Sequence, residues 1–203
     1  MSDSYNNSGV PVNENNITVT SGRSFTEDCF FNVLNISSDV TIDGADFTAN
    51  NLTVSGSITL LNGATLHVKR LLTANGSSKT FTVSPDSSVI AEKVSKLSSY
   101  TFIDIDGAFT FGGDAYFSST KLTGDGEIVF NGDLIGSSLT VDKPGLVTLS
   151  GKAPQTVTAS GANFNDLVIS NPSRRGVTFP STVYCYGDYT VNGSVVSGTV
   201  KQK

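Results

Sequence analysis

Short runs of alternating apolar and polar residues fill the chain, and one stretch of them occurs twice in succession. Residues 33–68 read VLNISSDVTIDGADFTANNLTVSGSITLLNGATLHV. The first copy contains Leu34 and the corner Asp43-Gly44-Ala45, and the second contains Leu52 and the corner Asn62-Gly63-Ala64. Each copy is under about twenty residues, too short to bury its own apolar face. Stacked copies can share one continuous core, so the pattern predicts a solenoid.

The alternation continues along most of the chain and predicts an all-β fold. We expect a right-handed parallel β-helix of about eight coils of roughly 18–22 residues, with one longer coil. The first inward residues of the coils are predicted to be Leu34, Leu52, Leu72, Val94, Tyr116, Leu134, Leu167 and Tyr189. The long interval before Leu167 is interpreted as an insertion at a corner, because it contains Pro144-Gly145 and Pro154. Residues 94–115 have few inward apolar positions, and an excursion from the stack is expected there.

Corners and aromatic residues refine this picture. Gly44, Gly63 and Gly107 follow Asp or Asn and are expected to accept positive φ, with the next Ala turning into the core. Aromatic residues at inward positions should pile up into an internal ladder of packed rings. The candidates for this ladder are Phe102, Phe109, Phe111 and Tyr116.

Residues 1–16 are polar and are interpreted as a disordered segment or an N-terminal cap. Residues 17–203 are assigned to a single β-solenoid domain, whose first partial turn is residues 17–31. The N-terminus has no basic segment followed by an apolar one, as a secretory signal would. Either the protein is intracellular, or the sequence is a segment of a larger secreted chain. We favour the second interpretation, which implies an extracellular or cell-surface location.

Composition and charge exclude several functional classes. Hydrophobic residues make up 37% of the chain and Trp is absent, while short polar residues are abundant, which favours short strands with polar outer faces. Charged residues make up 15% and the net charge is −5, without a Lys/Arg cluster, so nucleic acid is not an expected partner. No apolar run approaches the roughly 20 residues of a membrane helix, so membrane insertion is not expected.

Two cysteines, Cys29 and Cys185, test the fold. In a simple stack they lie about seven coils apart, which at about 4.8 Å per coil is roughly 30 Å. A disulfide needs Cα atoms within about 7 Å. We therefore predict two buried, unpaired thiols.

Paired carboxylates are the requirement for a polysaccharide-cleaving enzyme. Glycoside hydrolysis needs two of them, about 5 Å or about 6.5–9.5 Å apart. Asp104 with Asp106, and Asp125 with Glu127, are each two residues apart. However, Asp106 precedes Gly107 as a corner residue, and paired acids on an outer face are usually solvated. No catalytic residue is assigned, and we do not expect an enzyme.

The single histidine, His67, lies between Leu66 and Val68, so alternation points it to solvent. It has no second histidine to complete a transition-metal site, and no cofactor or metal ion is predicted. The sequence allows a calcium ion at an acidic corner but does not predict one. Three Thr-x-Thr pairs do not recur once per coil, so the flat water-ordering array of an ice-binding solenoid is not expected. These pairs are Thr18/Thr20, Thr80/Thr82 and Thr156/Thr158.

Two stretches, NNLTVSGSITLLNGATLHV and QTVTASGANFNDLVISNPSRRGVTFPSTVYCYGDYTVNGSV, carry a resemblance to a known group. They resemble the β-helical repeats of large bacterial surface proteins and adhesins, over about residues 30–198, in composition and period. The resemblance implies an extracellular scaffold or adhesive segment that binds glycans or a host or surface protein. It assigns no binding residue.

Sugar faces stack on aromatic rings, so a glycan site requires exposed aromatic residues. Tyr184 and Tyr186 flank Cys185, and burial of Cys185 would place both rings outside. These two tyrosines are the predicted glycan patch.

The sequence thus predicts a structural or adhesive segment of a bacterial surface protein, monomeric as a fragment. The alternative is a polysaccharide-active β-helix enzyme, a lyase or glycoside hydrolase, which needs a carboxylate-lined groove. A phage tail-fibre segment, the third interpretation, would be a trimer.

Overall fold

The computed structural model describes residues 16–100, 102–142, 144–159 and 162–203. Every regular element in these ranges is a β-strand, so the predicted all-β class is confirmed. The predicted cap at residues 1–16 lies outside the described residues except for Asn16, which begins the first strand. No helix among the described residues is long and apolar enough to cross a membrane.

The strands are short, and their polar outer positions alternate with inward apolar ones. In chain order they are β1 (Asn16–Val19), β2 (Arg23–Phe25), β3 (Cys29–Ile36), β4 (Val40–Asp43), β5 (Asp46–Val54), β6 (Ile58–Leu61), β7 (Thr65–Asn75), β8 (Thr80–Val83), β9 (Ser88–Ala91), β10 (Val94–Ser98), β11 (Phe102–Ile105), β12 (Ala108–Phe111), β13 (Ala115–Thr123), β14 (Glu127–Phe130), β15 (Leu134–Val141), β16 (Leu146–Leu149), β17 (Gln155–Thr156), β18 (Asn163–Phe164), β19 (Asp166–Ile169), β20 (Val177–Thr178), β21 (Val183–Cys185), β22 (Tyr189–Val191), β23 (Val195–Ser197) and β24 (Val200–Gln202).

The chain winds past three parallel sheets in turn, which enclose one core. Sheet 1 contains β1, the second halves of β3, β5 and β7, then β10 and the first halves of β13 and β15, and continues into β17, β20 and β23. Sheet 2 contains β2, β4, β6, β8, β11 and the second halves of β13 and β15, and continues into β18, β21 and β24. Sheet 3 contains the first halves of β3, β5 and β7, then β9, β12, β14, β16, β19 and β22. The architecture is therefore a parallel β-solenoid.

The stack has about ten turns rather than the predicted eight. The interval before Leu167 holds no insertion: β16 lies within it and pairs with β14 and β19 in sheet 3, and Val157 pairs with Leu134 in sheet 1. Leu167 and Tyr189 accordingly lie in sheet 3, not in the sheet that begins each coil. The prolines that suggested an insertion lie in the irregular segments before β16 and β17.

The region 94–115 also stays in the stack, contrary to the predicted excursion. Its strands β10, β11 and β12 pair with both neighbouring turns. The ring of Tyr100 is buried, and its hydroxyl donates a hydrogen bond to the carbonyl of Gly56 at 3.0 Å. This ring fills core space in a region whose strands have few inward aliphatic residues. Burial raises the pKa of this phenol, and the charge of Asp39 raises it further.

A column of phenylalanines fills the core beside sheet 3. The rings of Phe109 and Phe111 stack with centroids 4.1 Å apart, and Phe111 stacks on Phe130 at 4.9 Å. The aromatic ladder is therefore confirmed for Phe109 and Phe111. It is wrong for Phe102 and Tyr116, which point outward, since their neighbours Ile103, Ala115 and Phe117 take the inward positions. Val94 is likewise displaced from the core, by Ser95 and Leu97.

Two of the three predicted corners have the expected geometry. Gly44 and Gly63 have φ of 64° and 78°, and the alanines that follow them are buried. Gly107 does not have positive φ, and Ala108 is half-buried. A Cβ atom at Gly107 would lie 2.2 Å from the carbonyl oxygen of Ser87, so close approach between turns, rather than φ, requires glycine there.

Candidate functional site

The candidate catalytic acids lie around one corner, between sheet 2 and sheet 3. Asp104 points outward from β11 between Thr82 and Thr123 in the register. Asp106 follows the end of β11 and is exposed at the corner, as is Asp125 one turn later. Glu127 belongs to β14 in sheet 3, where it pairs with Ala108 and Leu146. Neither sequence pair therefore shares one strand face.

Corner aspartates bind the next turn through a repeated hydrogen bond, which we call the corner clamp. In each clamp a carboxylate oxygen accepts the backbone N–H of a residue one turn further along, at 2.8–3.0 Å. The acceptor and donor pairs are Asp28 with Asp46, Asp39 with Ser57, Asp106 with Asp125, Asp114 with Asp133, Asp133 with Thr156, and Asp166 with Asp188. The clamp thus gives the exposed acids of the corners a structural role between turns.

Asp104 differs from Asp106 and Asp125 at this corner because its carboxylate is partly buried, whereas theirs are exposed. Burial raises the pKa of Asp104, and the charges of Asp106 and Asp125 raise it further. The corner therefore brings Asp106 and Asp125 close enough to act on the carboxylate of Asp104. Perturbed acids of this kind occur in catalytic sites and in purely structural clusters.

The predicted tyrosine patch lies on the outer face of sheet 2, with Tyr184 in β21 and Tyr186 directly after it. Cys185 is buried, and Tyr184 and Tyr186 on either side of it are half-buried and point outward, as the alternation predicted. The ammonium of Lys203 lies 4.1 Å from the ring centroid of Tyr184 and 5.4 Å from that of Tyr186. Its Nζ also donates a hydrogen bond to the Tyr186 hydroxyl at 3.3 Å. A sugar that stacked here would compete with this lysine for the ring faces.

Both cysteines are unpaired, as predicted. Cys185 is buried, but Cys29 is only half-buried because it lies at the start of β3 beside an exposed corner. Burial raises the pKa of both thiols, and nearby carboxylates add to the effect. Each thiol donates to a backbone carbonyl, Cys29 to Glu27 at 3.3 Å and Cys185 to Asn165 at 3.1 Å.

His67 points outward from β7, as alternation predicted, and its Nε2 lies 2.7 Å from Oε1 of Glu92. Within the described ranges, no group of three or more His, Cys, Asp or Glu residues could hold a metal ion. The calcium alternative at an acidic corner therefore gains no candidate site from the described part of the chain.

One row of hydroxyls does form on sheet 2, at Thr41, Thr59 and Thr82. Asp104 interrupts this row before Thr123. Thr80 also points outward, but Phe102 follows it in the register, so no second row of threonines forms beside the first.

A groove on the outer face of sheet 1 was not predicted from the sequence. It has a volume of about 690 Å³ and crosses β10, β13 and β15. One row along it is Lys96, Tyr116 and Ile135, and a second row is Ser98, Ser118 and Ser137. Tyr116 is 39% exposed.

The sequence contained a signal for this groove. In Ala115-Tyr116-Phe117-Ser118, alternation allows either Ala and Phe or Tyr and Ser to face inward. The second choice would bury two hydroxyl groups, each at a cost unless it found a hydrogen-bond partner. The first choice is the observed one, and it leaves Tyr116 on the surface.

Comparisons with known proteins give no relative for this chain: no family model, no curated protein and no solved structure matches it.

Proposed function

We propose that this chain is a structural β-solenoid segment with adhesive function at a bacterial cell surface, where it binds glycans or a partner protein. The supporting observation is the continuous parallel stack of about ten turns, in which corner clamps join successive turns. Such a stack separates its two ends by a length set by the number of turns, at about 4.8 Å per turn. It also offers three long outer faces for binding.

The composition of the outer faces fits this function. Outward strand positions carry mainly Thr, Ser and Asn, as on sheet 2 at Thr41, Thr59 and Thr82. Hydroxyl and amide groups can donate to and accept from sugar hydroxyls. The extracellular, bacterial location rests on the resemblance of the repeats to those of bacterial surface proteins.

The tyrosine patch on sheet 2 is one proposed glycan site. Replacement of both Tyr184 and Tyr186 by Ala removes both stacking surfaces and should abolish glycan binding at this site. Thermal unfolding should change little, because both side chains lie outside the core. Undiminished binding by the double variant would remove this patch from consideration. Lys203→Gln is the companion variant: it removes the competing cation from both ring faces and should strengthen binding there.

The experiment that tests the function is binding of the purified protein to a broad panel of glycans and polysaccharides, followed by mass analysis of the polysaccharides after incubation. Binding without cleavage supports an adhesive segment. Absence of any binding rejects the glycan-binding part of the proposal and leaves a structural segment that holds at most a protein partner. Cleaved products reject it in favour of an enzyme.

One observation favours the enzyme as the second candidate. Asp104 lies at one corner with Asp106 and Asp125, and burial raises the pKa of Asp104, which is the direction that a general acid requires. If this group is catalytic, Asp104→Asn should abolish product formation while the protein still binds the polysaccharide. Equal product from the variant and the wild type would reject a catalytic role for Asp104.

A further inference from the structure

The outer face of sheet 1 has an unusual distribution of charge. From β1 to β15 its strand segments are residues 16–19, 33–36, 51–54, 71–75, 94–98, 115–118 and 134–137. Among these described residues, Lys96 is the one charged side chain, in a chain whose net charge is −5. The rest of the outward positions are Asn, Thr, Ser, Val, Leu, Ile and Tyr.

Lys96 has no ion-pair partner among the described residues, unlike two other lysines of the stack. Lys79 pairs with Asp39 at 3.0 Å, and Lys121 pairs with Asp142 at 2.6 Å. Lys96 is exposed on β10, where Thr73 and Tyr116 are its neighbours in the register. Its ammonium therefore offers three donors and a full charge to a molecule that binds in the groove.

Around Lys96 the groove has the parts that a sugar chain requires. The ring of Tyr116 follows Lys96 by one turn and presents an apolar face for stacking. The hydroxyls of Ser98, Ser118 and Ser137 form a parallel row that can donate to and accept from sugar hydroxyls. The three strands that form the groove are successive turns, so it runs along the solenoid axis for about 10 Å.

We propose that this groove binds a linear glycan that carries carboxylate groups, with a sugar face on Tyr116 and a carboxylate at Lys96. The proposal rests on the adhesive function proposed above and specifies its ligand class and its site. Charge complementarity selects a carboxylated chain over a neutral one, because the cation of this face has no counter-ion of its own.

Acids at one corner of the stack set the direction from which the ligand's charges approach. Asp114 and Asp133 lie at the corner that precedes β13 and β15, beside one edge of the groove. Each carboxylate accepts a backbone N–H of the next turn, and neither forms an ion pair with Lys96. Their repulsion should keep the ligand's carboxylates over Lys96 and the serine row, away from this edge.

The test compares polygalacturonate with its fully methyl-esterified form, which has the same sugar chain without the charge. Binding is measured by titration calorimetry with the complete chain. The wild type should bind the acid polymer, bind the ester about tenfold more weakly, and lose affinity for the acid as salt is raised. Lys96→Gln and Tyr116→Ala should each weaken binding of the acid about tenfold. Only Tyr116→Ala should also weaken binding of the ester.

Control variants separate the groove from other parts of the surface. Lys201→Gln removes an exposed lysine from β24, beside Tyr184 in the register of sheet 2, and should leave binding of the acid polymer in the groove unchanged. A loss of affinity in this variant would instead place the ligand at the tyrosine patch and overturn the groove. Far-UV circular dichroism and thermal unfolding should be the same for all three variants, because Lys96, Tyr116 and Lys201 are exposed.

Three further results would overturn the inference, and they differ in what they leave standing. Equal affinity for acid and ester refutes the preference for carboxylates. Unchanged binding by Lys96→Gln and Tyr116→Ala, together with loss in the Tyr184/Tyr186 double variant, refutes the groove but leaves the adhesive function. Failure of the wild type to bind any glycan of the panel refutes the glycan-binding part of the proposed function and the groove with it.

Discussion

The carboxylate of Asp106 accepts a hydrogen bond from the backbone N–H of Asp125, one turn further along, at 3.0 Å. The acid that sequence reasoning considered for catalysis is thus part of a corner clamp. Asp106→Ala should lower the free energy of unfolding by about 1 kcal/mol, measured by urea denaturation, because the N–H of Asp125 loses its acceptor. Asp106→Asn keeps an acceptor and should cost less.

The matched control for this prediction is Asp125→Ala. Asp125 donates through its backbone, so removal of its side chain keeps the clamp. The unfolding midpoint of Asp125→Ala should stay near that of the wild type. A loss of stability in Asp125→Ala as large as in Asp106→Ala would contradict the role of the clamp.

Asp39 should make a small contribution to stability that depends on acid pH. The N–H of Ser57, and then Lys79, hold the pKa of Asp39 below its ordinary value of 3.8. The stabilisation is therefore fully present above pH 3.8 and is lost as pH falls through the lower, folded-state pKa. In Asp39→Asn the loss of stability that comes from protonation of Asp39 should disappear, as measured by thermal unfolding between about pH 2 and pH 7. The same dependence of the unfolding temperature on pH in the variant and the wild type would contradict this contribution of Asp39.

The contribution of Asp104 to stability should depend on pH in the opposite direction. Burial, with Asp106 and Asp125, raises its pKa above 3.8, so the folded state holds the proton more tightly. Its contribution to stability is complete below pH 3.8 and is lost as pH rises through the folded-state pKa. The difference in stability between Asp104→Asn and the wild type should therefore favour the variant more at pH 7 than at pH 3. A variant whose relative stability is the same at both pH values would show that the carboxylate is not perturbed.

Ser95 is an inward residue whose hydroxyl has no hydrogen-bond partner. An unpaired buried hydroxyl costs about 1–3 kcal/mol. Removal of the hydroxyl recovers this energy, but the small cavity that it leaves offsets part of the gain. Ser95→Ala should therefore leave the free energy of unfolding unchanged or raise it by about 1 kcal/mol. The counterpart variant is Ala91→Ser, which places a hydroxyl between Val68 and Phe111 in the register and should destabilise the protein. Destabilisation by Ser95→Ala would mean that this hydroxyl makes a bond in solution.

Phe111 and Phe102 provide a pair that tests the inward and outward assignment. Phe111 is fully buried and stacks on Phe109 and Phe130, so Phe111→Ala should cost about 3–5 kcal/mol. Phe102 lies on the outer side of β11 and is half-buried, so Phe102→Ala should cost under about 1 kcal/mol. Denaturant unfolding of the two variants measures the difference. Similar losses would contradict the observed orientation of β11.

The sequence by itself determined the architecture, because a solenoid is built from local patterns. Alternation in stretches such as Leu34-x-Ile36 and Leu52-x-Val54 identifies inward side chains, and the near repeat across residues 33–68 predicts parallel stacking. The positive φ of Gly44 and Gly63 and the outward tyrosines beside Cys185 follow from equally local rules.

Tertiary structure decided what depends on the register between turns. A turn has no fixed length, so the sequence could not count the turns between Leu134 and Leu167, and it placed Leu167 in the wrong sheet. Alternation alone also leaves two phases for a strand, and only packing against the neighbouring turns buries Phe117 and exposes Tyr116. The clamp from Asp106 to Asp125 and the groove around Lys96 join residues of different turns. Such contacts exist only once the turns are stacked, because strand pairing brings together residues that are about twenty positions apart in the chain.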